Sequence, residues 1–259
     1  MPRRPSSKLL LAASLGLLAA CNGSTAPEQP EVAEVQVAKP KLGLFTTLPI
    51  YWGEGGDITS MLNSEAETDW VRIELETKFE IVPLDTLEPE ALEGLDRVLL
   101  AQPRPLAPSE NVSFDQYLAN GGRAVIFADP MLTRHSDFGI GDRRRPQDVV
   151  LLSPIFQRLG IELLFDESQP EGERVLRQSG VDFPVNLAGR FEARDTGEPS
   201  RRCTSLEDGL IAQCVNGEGE AYLFADAALL DWEGDEPVPE ERKTALWRLL
   251  DPLVPLPAR

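Results

Sequence analysis

The chain has 259 residues, with 43 Asp+Glu against 25 Lys+Arg, a formal net charge of −18, and 42% hydrophobic residues. A surface this acidic repels nucleic acid and anionic lipid, which argues against a general DNA- or RNA-binding role. The length suits one substantial domain or two small ones, and no repeat of solenoid type is visible.

At the N-terminus, Arg3, Arg4 and Lys8 precede the uncharged run 9–20, and Cys21 follows directly. A basic start, a short apolar core and small residues at the junction predict a secretory signal over 1–20, too short for an ordinary membrane span. Leu18-Ala19-Ala20-Cys21 resembles the lipobox of bacterial lipoproteins. The resemblance implies that the Cys21 thiol is diacylated and becomes the mature N-terminus; a plain cleavable signal is the alternative. Asn22 stands where Asp would imply retention at the inner membrane. The expected address is therefore the periplasmic side of the bacterial envelope, on the outer membrane in preference to the inner, held by lipid without a span. Removing residues 1–20 takes away three basic groups and no acid, so the mature chain is more acidic still. Residues 21–40 are polar and rich in Pro and Glu, and read as a flexible tether.

The domain itself is expected over 41–259. Strands are predicted at 41–49, 79–85, 96–103 and 123–130. Between them come a Gly-rich turn leading into a possible helix (50–62), a short acidic helix or turn at 87–95, and a helix opened by Pro108 and stopped by Asn120-Gly121-Gly122. A helix around 148–159 and a strand at 161–165 follow. Residues 166–218 are rich in charge and glycine and read as an irregular β-rich insertion, with antiparallel hairpins. "YLFAD" at 222–226 then echoes "VIFAD" at 125–129, and an amphipathic helix with Ala245, Leu246, Leu249 and Leu250 as its stripe closes the chain. Strand, helix and strand in this rhythm, with nearly continuous apolar strands, predict an α/β fold: an open, mostly parallel sheet with flanking helices, of flavodoxin-like or class I glutamine-amidotransferase-like type.

With Cys21 assigned to lipid, Cys203 and Cys214 remain, an even pair in an exported protein. They predict a disulfide across a β-hairpin, contributing about 2–3 kcal/mol through the short loop it closes. A metal pair or redox dithiol lacks C-x-x-C spacing and a neighbouring histidine.

"FDQYLANGGRAVIFADP", 114–130, joins a helix ending in aromatic-Leu-x-x-Gly-Gly-basic to a strand ending in Asp-Pro. With "KLGLFTTLP" and "LLAQPRPLAPSENVSFDQYL", it resembles the ABC-type uncharacterized transport system domain. This is the periplasmic domain of gliding-motility-associated ABC-transporter auxiliary proteins, within the glutamine-amidotransferase-like α/β superfamily. The resemblance covers about 41–165 well and 166–259 poorly. It implies a non-catalytic module that binds a partner protein, such as ABC-transporter components or other envelope proteins, or an envelope ligand. Family members usually carry membrane helices, whereas this chain carries the lipoprotein signal, and the family offers no catalytic residue to transfer.

Ligands of open α/β sheets bind at the carboxyl ends of the strands. Asp129 and Asp226 would lie there, joined by Thr46 and Thr47 at the end of the first strand. His135, the only histidine, could act as general base, with Arg143, Arg144 and Arg145 gripping a carboxylate or phosphate. That constellation defines an alternative, an envelope hydrolase using Asp129 and His135. Against it stand plainer readings: His135 as an ordinary loop residue, Asp129 as a turn cap and the arginines as a solvated face or internal ion pairs. Tyr51 and Trp52 beside flexible glycines could stack on a sugar or peptide, or pin a loop to the core. No nucleophile elbow, phosphate loop, Rossmann fingerprint or zinc motif is present, so neither a metal nor a cofactor is expected.

Overall fold

A computed structural model describes residues 38–53, 68–232 and 236–255. The signal, Cys21 and most of the tether lie outside the described residues, as does nearly all of the possible helix after the Gly-rich turn.

The strands are β1 (Lys41–Thr46), β2 (Glu80–Pro83), β3 (Arg97–Ala101), β4 (Arg123–Phe127), β5 (Ile161–Leu164), β6 (Arg174–Gln178), β7 (Val181–Val185), β8 (Arg190–Ala193), β9 (Arg201–Leu206), β10 (Ile211–Asn216) and β11 (Gly219–Phe224). The helices are α1 (Trp70–Lys78), α2 (Pro89–Leu92), α3 (Pro108–Ala119), α4 (Ser153–Leu159) and α5 (Glu240–Leu250). Seven strands form one sheet in the order β2-β1-β3-β4-β11-β10-β9. The first five are parallel, and β10 and β9 continue the sheet antiparallel.

Alternation along the central strands sorts their side chains onto two covered faces. Leu99, Ala101, Val125 and Phe127 pack with Val71 and Leu75 of α1 and with Ala245, Leu246 and Leu250 of α5. Val98, Leu100, Ala124 and Ile126 pack on the opposite face with Phe114 and Leu118 of α3 and Ile155, Phe156 and Leu159 of α4. All five residues of β3 are buried, which is why the four after Arg97 form a continuous apolar run and not an alternating one. The chain is thus an α/β protein with a mostly parallel sheet, helices on both faces and a β-rich second half.

Three local expectations need correction. The helix around 148–159 begins only at Ser153, because Pro154 tolerates a first helical turn but would clash with a carbonyl four residues earlier in a longer helix. The segment 166–218 is not wholly an insertion. Its β6–β7 hairpin stands apart and β8 pairs with β5, but β9 and β10 extend the main sheet. Helix α1 was not anticipated: only Val71 and Leu75 of its nine residues are buried, one i,i+4 pair among charged neighbours. The predicted disulfide is present, joining Cys203 and Cys214 at directly opposed positions of β9 and β10. Among the described residues no helix is long and apolar enough to cross a membrane.

Candidate functional site

From β1 the chain runs outward to β2 and then crosses back to β3 on the other side of β1. The loops leaving β1 and β3 therefore part, and the carboxyl end of the sheet opens there. A cavity of about 390 Å³ occupies this place, lined by Thr46, Thr47, Tyr51, Trp52 and Gly53 after β1, Asp85 after β2, and Arg104 after β3. Phe138, Arg143 and Arg144 reach over from the long loop that follows β4. Its size falls in the range of small-molecule pockets, about 300–1,000 Å³.

The neighbouring rim, at the ends of β4 and β11, is sealed. Asp129 is 1% exposed, and its two carboxylate oxygens accept from the backbone N–H groups of Met131 (2.8 Å) and Ala227 (3.0 Å). Asp226 is fully buried and accepts from the N–H groups of Asn186 (2.8 Å) and Ala228. Burial pushes the Asp129 carboxyl up to about 6, against the two N–H bonds that favour its charge. Burial raises Asp226 well above the ordinary carboxylate range, and the nearby Asp129 charge adds to this.

Between the two rims stands Gln102, a buried residue immediately after β3 with a positive φ of 44°. Its amide donates to the carbonyls of Asp129 (3.1 Å) and Gln147 (2.8 Å), and its amide oxygen accepts from the Asp129 N–H (2.9 Å). One side chain thereby ties the ends of β3 and β4 to the far end of the long loop. A bulky residue in the left-handed region persists only where its surroundings hold it, and these three bonds do so.

The threonines of the cleft wall are committed in the same way. Thr46 donates to the Ala101 carbonyl (2.7 Å) and accepts from Leu48 N–H (2.9 Å). Thr47 donates to the Gln102 carbonyl and accepts from Gln147 N–H (3.0 Å). Arg104 grips Glu110 through both guanidinium nitrogens (2.7 and 2.8 Å) and donates to the Asp85 carbonyl (2.7 Å). Glu110 also accepts from the N–H groups of Ala107 and Leu87 and from the Thr86 hydroxyl. The Arg104 guanidinium, followed by those donors, holds the Glu110 carboxyl down to about 2 despite its burial.

Of the three consecutive arginines, two face the cleft. Arg144 lies 4.1 Å over the Phe138 ring and is paired with Asp142 (2.8 Å). Arg143 is exposed and pairs with no carboxylate among the described residues. Arg145 turns away, to Asp148 (2.8 Å) and the Phe138 carbonyl (2.9 Å), and braces the loop. His135 projects into solvent with 77% of its side chain exposed, 3.7 Å from the equally open Asp137. Tyr51 is pinned by the Arg72 guanidinium 4.3 Å over its ring, while Trp52, edge-on to Tyr51, is 67% exposed.

The structure therefore brings Thr46, Thr47, Arg143 and Arg144 to one cleft and Asp129 and Asp226 to a sealed rim beside it. Sequence reasoning missed Gln102, Arg104 and Asp85. Two of them had a signal: Arg104 is a cation six residues before the first-turn glutamate of α3, and Asp85 is an aspartate closing the predicted strand 79–85. Among the described residues no group of three or more His, Cys, Asp or Glu could hold a metal ion.

No family model and no curated protein matches the chain. Solved structures do. Gan42B, a GH42 beta-galactosidase from G. stearothermophilus, matches 84% of this chain and 30% of its own at 12% identity and a TM-score of 0.48. The beta-galactosidase from Rahnella sp. R3 matches over 83% and 32% at 15% identity and a TM-score of 0.43. The N-terminal domain of mmIFT52 matches over 84% and 97% at 13% identity and a TM-score of 0.44. The chain thus spans under a third of the length of the galactosidases it matches.

Proposed function

We propose that this chain is a membrane-tethered periplasmic lipoprotein whose α/β domain is a binding module of the ABC-transporter-auxiliary type, taking an envelope ligand or partner protein at the cleft beside β1. The finer fold assignment belongs to the same reading: the strand order 2-1-3-4 supports a flavodoxin-like or glutamine-amidotransferase-like domain. Anchorage is through Cys21, on the outer membrane in preference to the inner.

One observation carries the reading: the candidate acid–base groups Asp129, Asp226 and His135 and the open cleft are in different places. Asp129 and Asp226 spend their oxygens on backbone N–H groups, and His135 stands in solvent. General-base catalysis needs a base within hydrogen-bond reach of its substrate, or one water away. The cleft offers recognition groups instead, namely guanidinium, carboxylate and an exposed ring.

The test uses the full-length protein in a bacterial host. Cys21→Ser should move it from the membrane fraction to the soluble fraction. The wild-type chain, solubilised from envelopes, should co-purify with an ABC ATPase and permease, and His135→Ala should co-purify equally. The elevated Asp129 carboxyl favours the alternative, an envelope hydrolase using Asp129 and His135. A hydrolytic turnover abolished by His135→Ala would establish that reading and remove ours.

A further inference from the structure

We infer that the cleft beside β1 recognises an acidic sugar, with Arg143 holding the oxyanion, Trp52 covering a face of the ring and Asp85 accepting from ring hydroxyls. The inference rests on the binding-module reading and adds the chemical class of the ligand.

Charge is the first step. In a chain of formal net charge −18, three guanidinium groups line one cavity whose wall carries, among the described residues, a single acidic residue, Asp85. Arg104 and Arg144 already have their charges answered by Glu110 and Asp142. Arg143 does not, so among the described residues the cleft wall carries one cation without a carboxylate partner. A guanidinium suits a planar carboxylate, which it meets with two parallel N–H donors.

The second step is the ring. Trp52 lies two-thirds in water on the wall of the same cavity, while its neighbour Tyr51 has one face closed by Arg72. A large exposed indole beside an unanswered cation is matched by a ligand that carries a charge on a flat apolar face. Asp85 narrows the class further. Its side chain is exposed, interacts with the Arg104 charge, and makes no hydrogen bond among the described residues, while its backbone carbonyl holds Arg104 in place. A free carboxylate accepts from hydroxyl donors and repels a compact dianion. Phosphate alone is therefore disfavoured, a neutral sugar leaves Arg143 unanswered, and a carboxylate without hydroxyls leaves Asp85 unanswered. A sugar acid meets all three groups.

Purified full-length protein should be titrated by ligand-observed NMR with glucuronate, glucose and inorganic phosphate. Glucuronate should bind about tenfold more tightly than glucose, and phosphate more weakly than glucuronate by at least as much. Arg143→Gln should remove most of the preference for glucuronate over glucose. Trp52→Ala should weaken both sugars alike, and thermal melts should show both variants folded. Equal affinity for glucose and glucuronate, a preference unaltered by Arg143→Gln, or phosphate binding as tightly as glucuronate would each overturn the inference. So would no binding of glucuronate. In that last case co-purification with envelope proteins still decides the binding-module reading separately.

Discussion

Two stretches of the same sheet edge treat their polar groups in opposite ways. At the ends of β4 and β11 every carboxylate oxygen of Asp129 and Asp226 accepts a backbone N–H, and both side chains are buried. At the ends of β1 and β2, a few residues along the rim, Arg143, Asp85 and Trp52 face an open cavity. A polar side chain at a strand end can thus organise loops or meet a ligand. What separates the two is whether the backbone has already used its hydrogen-bonding capacity. Buried backbone N–H groups demand partners, and the loops after β4 and β11 find theirs in two aspartates.

The contrast is broken most strongly by removing a strut. Asp226→Ala leaves the N–H groups of Asn186 and Ala228 without their acceptor. Each buried unsatisfied donor costs roughly 1–3 kcal/mol, partly offset here by ending the repulsion with Asp129, so the expected loss is about 3 kcal/mol in urea unfolding. An unchanged midpoint would show that the sealed rim is not held by its carboxylates. Next comes Gln102→Ala, which removes three hydrogen bonds and should lower stability by about 2 kcal/mol. Gln102→Gly should recover roughly 1 kcal/mol of that loss, since glycine accepts the positive φ. If the glycine variant is the weaker of the two, the strain at this residue is not the controlling factor.

The two rims also predict opposite responses to pH. Asp129 is pushed up to about 6, so its contribution is full below its unfolded value near 3.9 and is lost as pH rises through about 6. Asp226, raised in the same direction, adds to this loss. Glu110 is held down to about 2, so its contribution is present above about 4.3 and is lost as pH falls toward 2. Stability should therefore peak at about pH 4, where the Glu110 gain is nearly complete and the Asp129 loss begins, and lie on the order of 1–2 kcal/mol higher at pH 5 than at 7.5 from the Asp129 shift alone. Urea melts across this range check the sign. A monotonic rise toward pH 7.5 would mean that the buried pair is not strained by its charge.

How much of this was legible in the sequence follows from which forces were local. The parallel core was readable because strands covered on both faces are nearly continuous apolar runs, and β3 and β4 are apolar after their opening arginines. The Cys203–Cys214 bridge was readable because a hairpin needs only short-range pairing. Helix α1 was hidden because it buries just two side chains, so its apolar period is faint. The place of β9 and β10 in the main sheet was hidden for another reason: whether a hairpin stands alone or extends a sheet is decided by contacts far away in sequence. At the candidate site, Asp129 and Asp226 were found as strand-end aspartates, and the turn-cap reading of Asp129 matches its bond from the Met131 N–H two residues on, but nothing local revealed the second N–H on each, from Ala227 and Asn186, 98 and 40 residues away. Gln102 is the extreme case, since its partners lie 27 and 45 residues away. His135 drew notice by being the only histidine, which is a property of composition and carries no information about position.

The smallest stability effects sharpen the comparison best. Arg143→Gln and His135→Ala alter exposed side chains on the loop after β4, and neither makes a hydrogen bond to a buried group among the described residues. Both should leave the melting temperature unchanged, in contrast to Arg145→Gln, which removes the bonds to Asp148 and to the Phe138 carbonyl and should lower it slightly. Two neighbouring cations and a histidine would then separate by what they touch: Arg145 as a brace, His135 as solvated surface, and Arg143 as a group without structural work. A fall in melting temperature for Arg143→Gln comparable to that for Arg145→Gln would make Arg143 a strut as well. The cleft would then have no uncompensated cation, and the difference between the open and sealed rims would reduce to exposure alone.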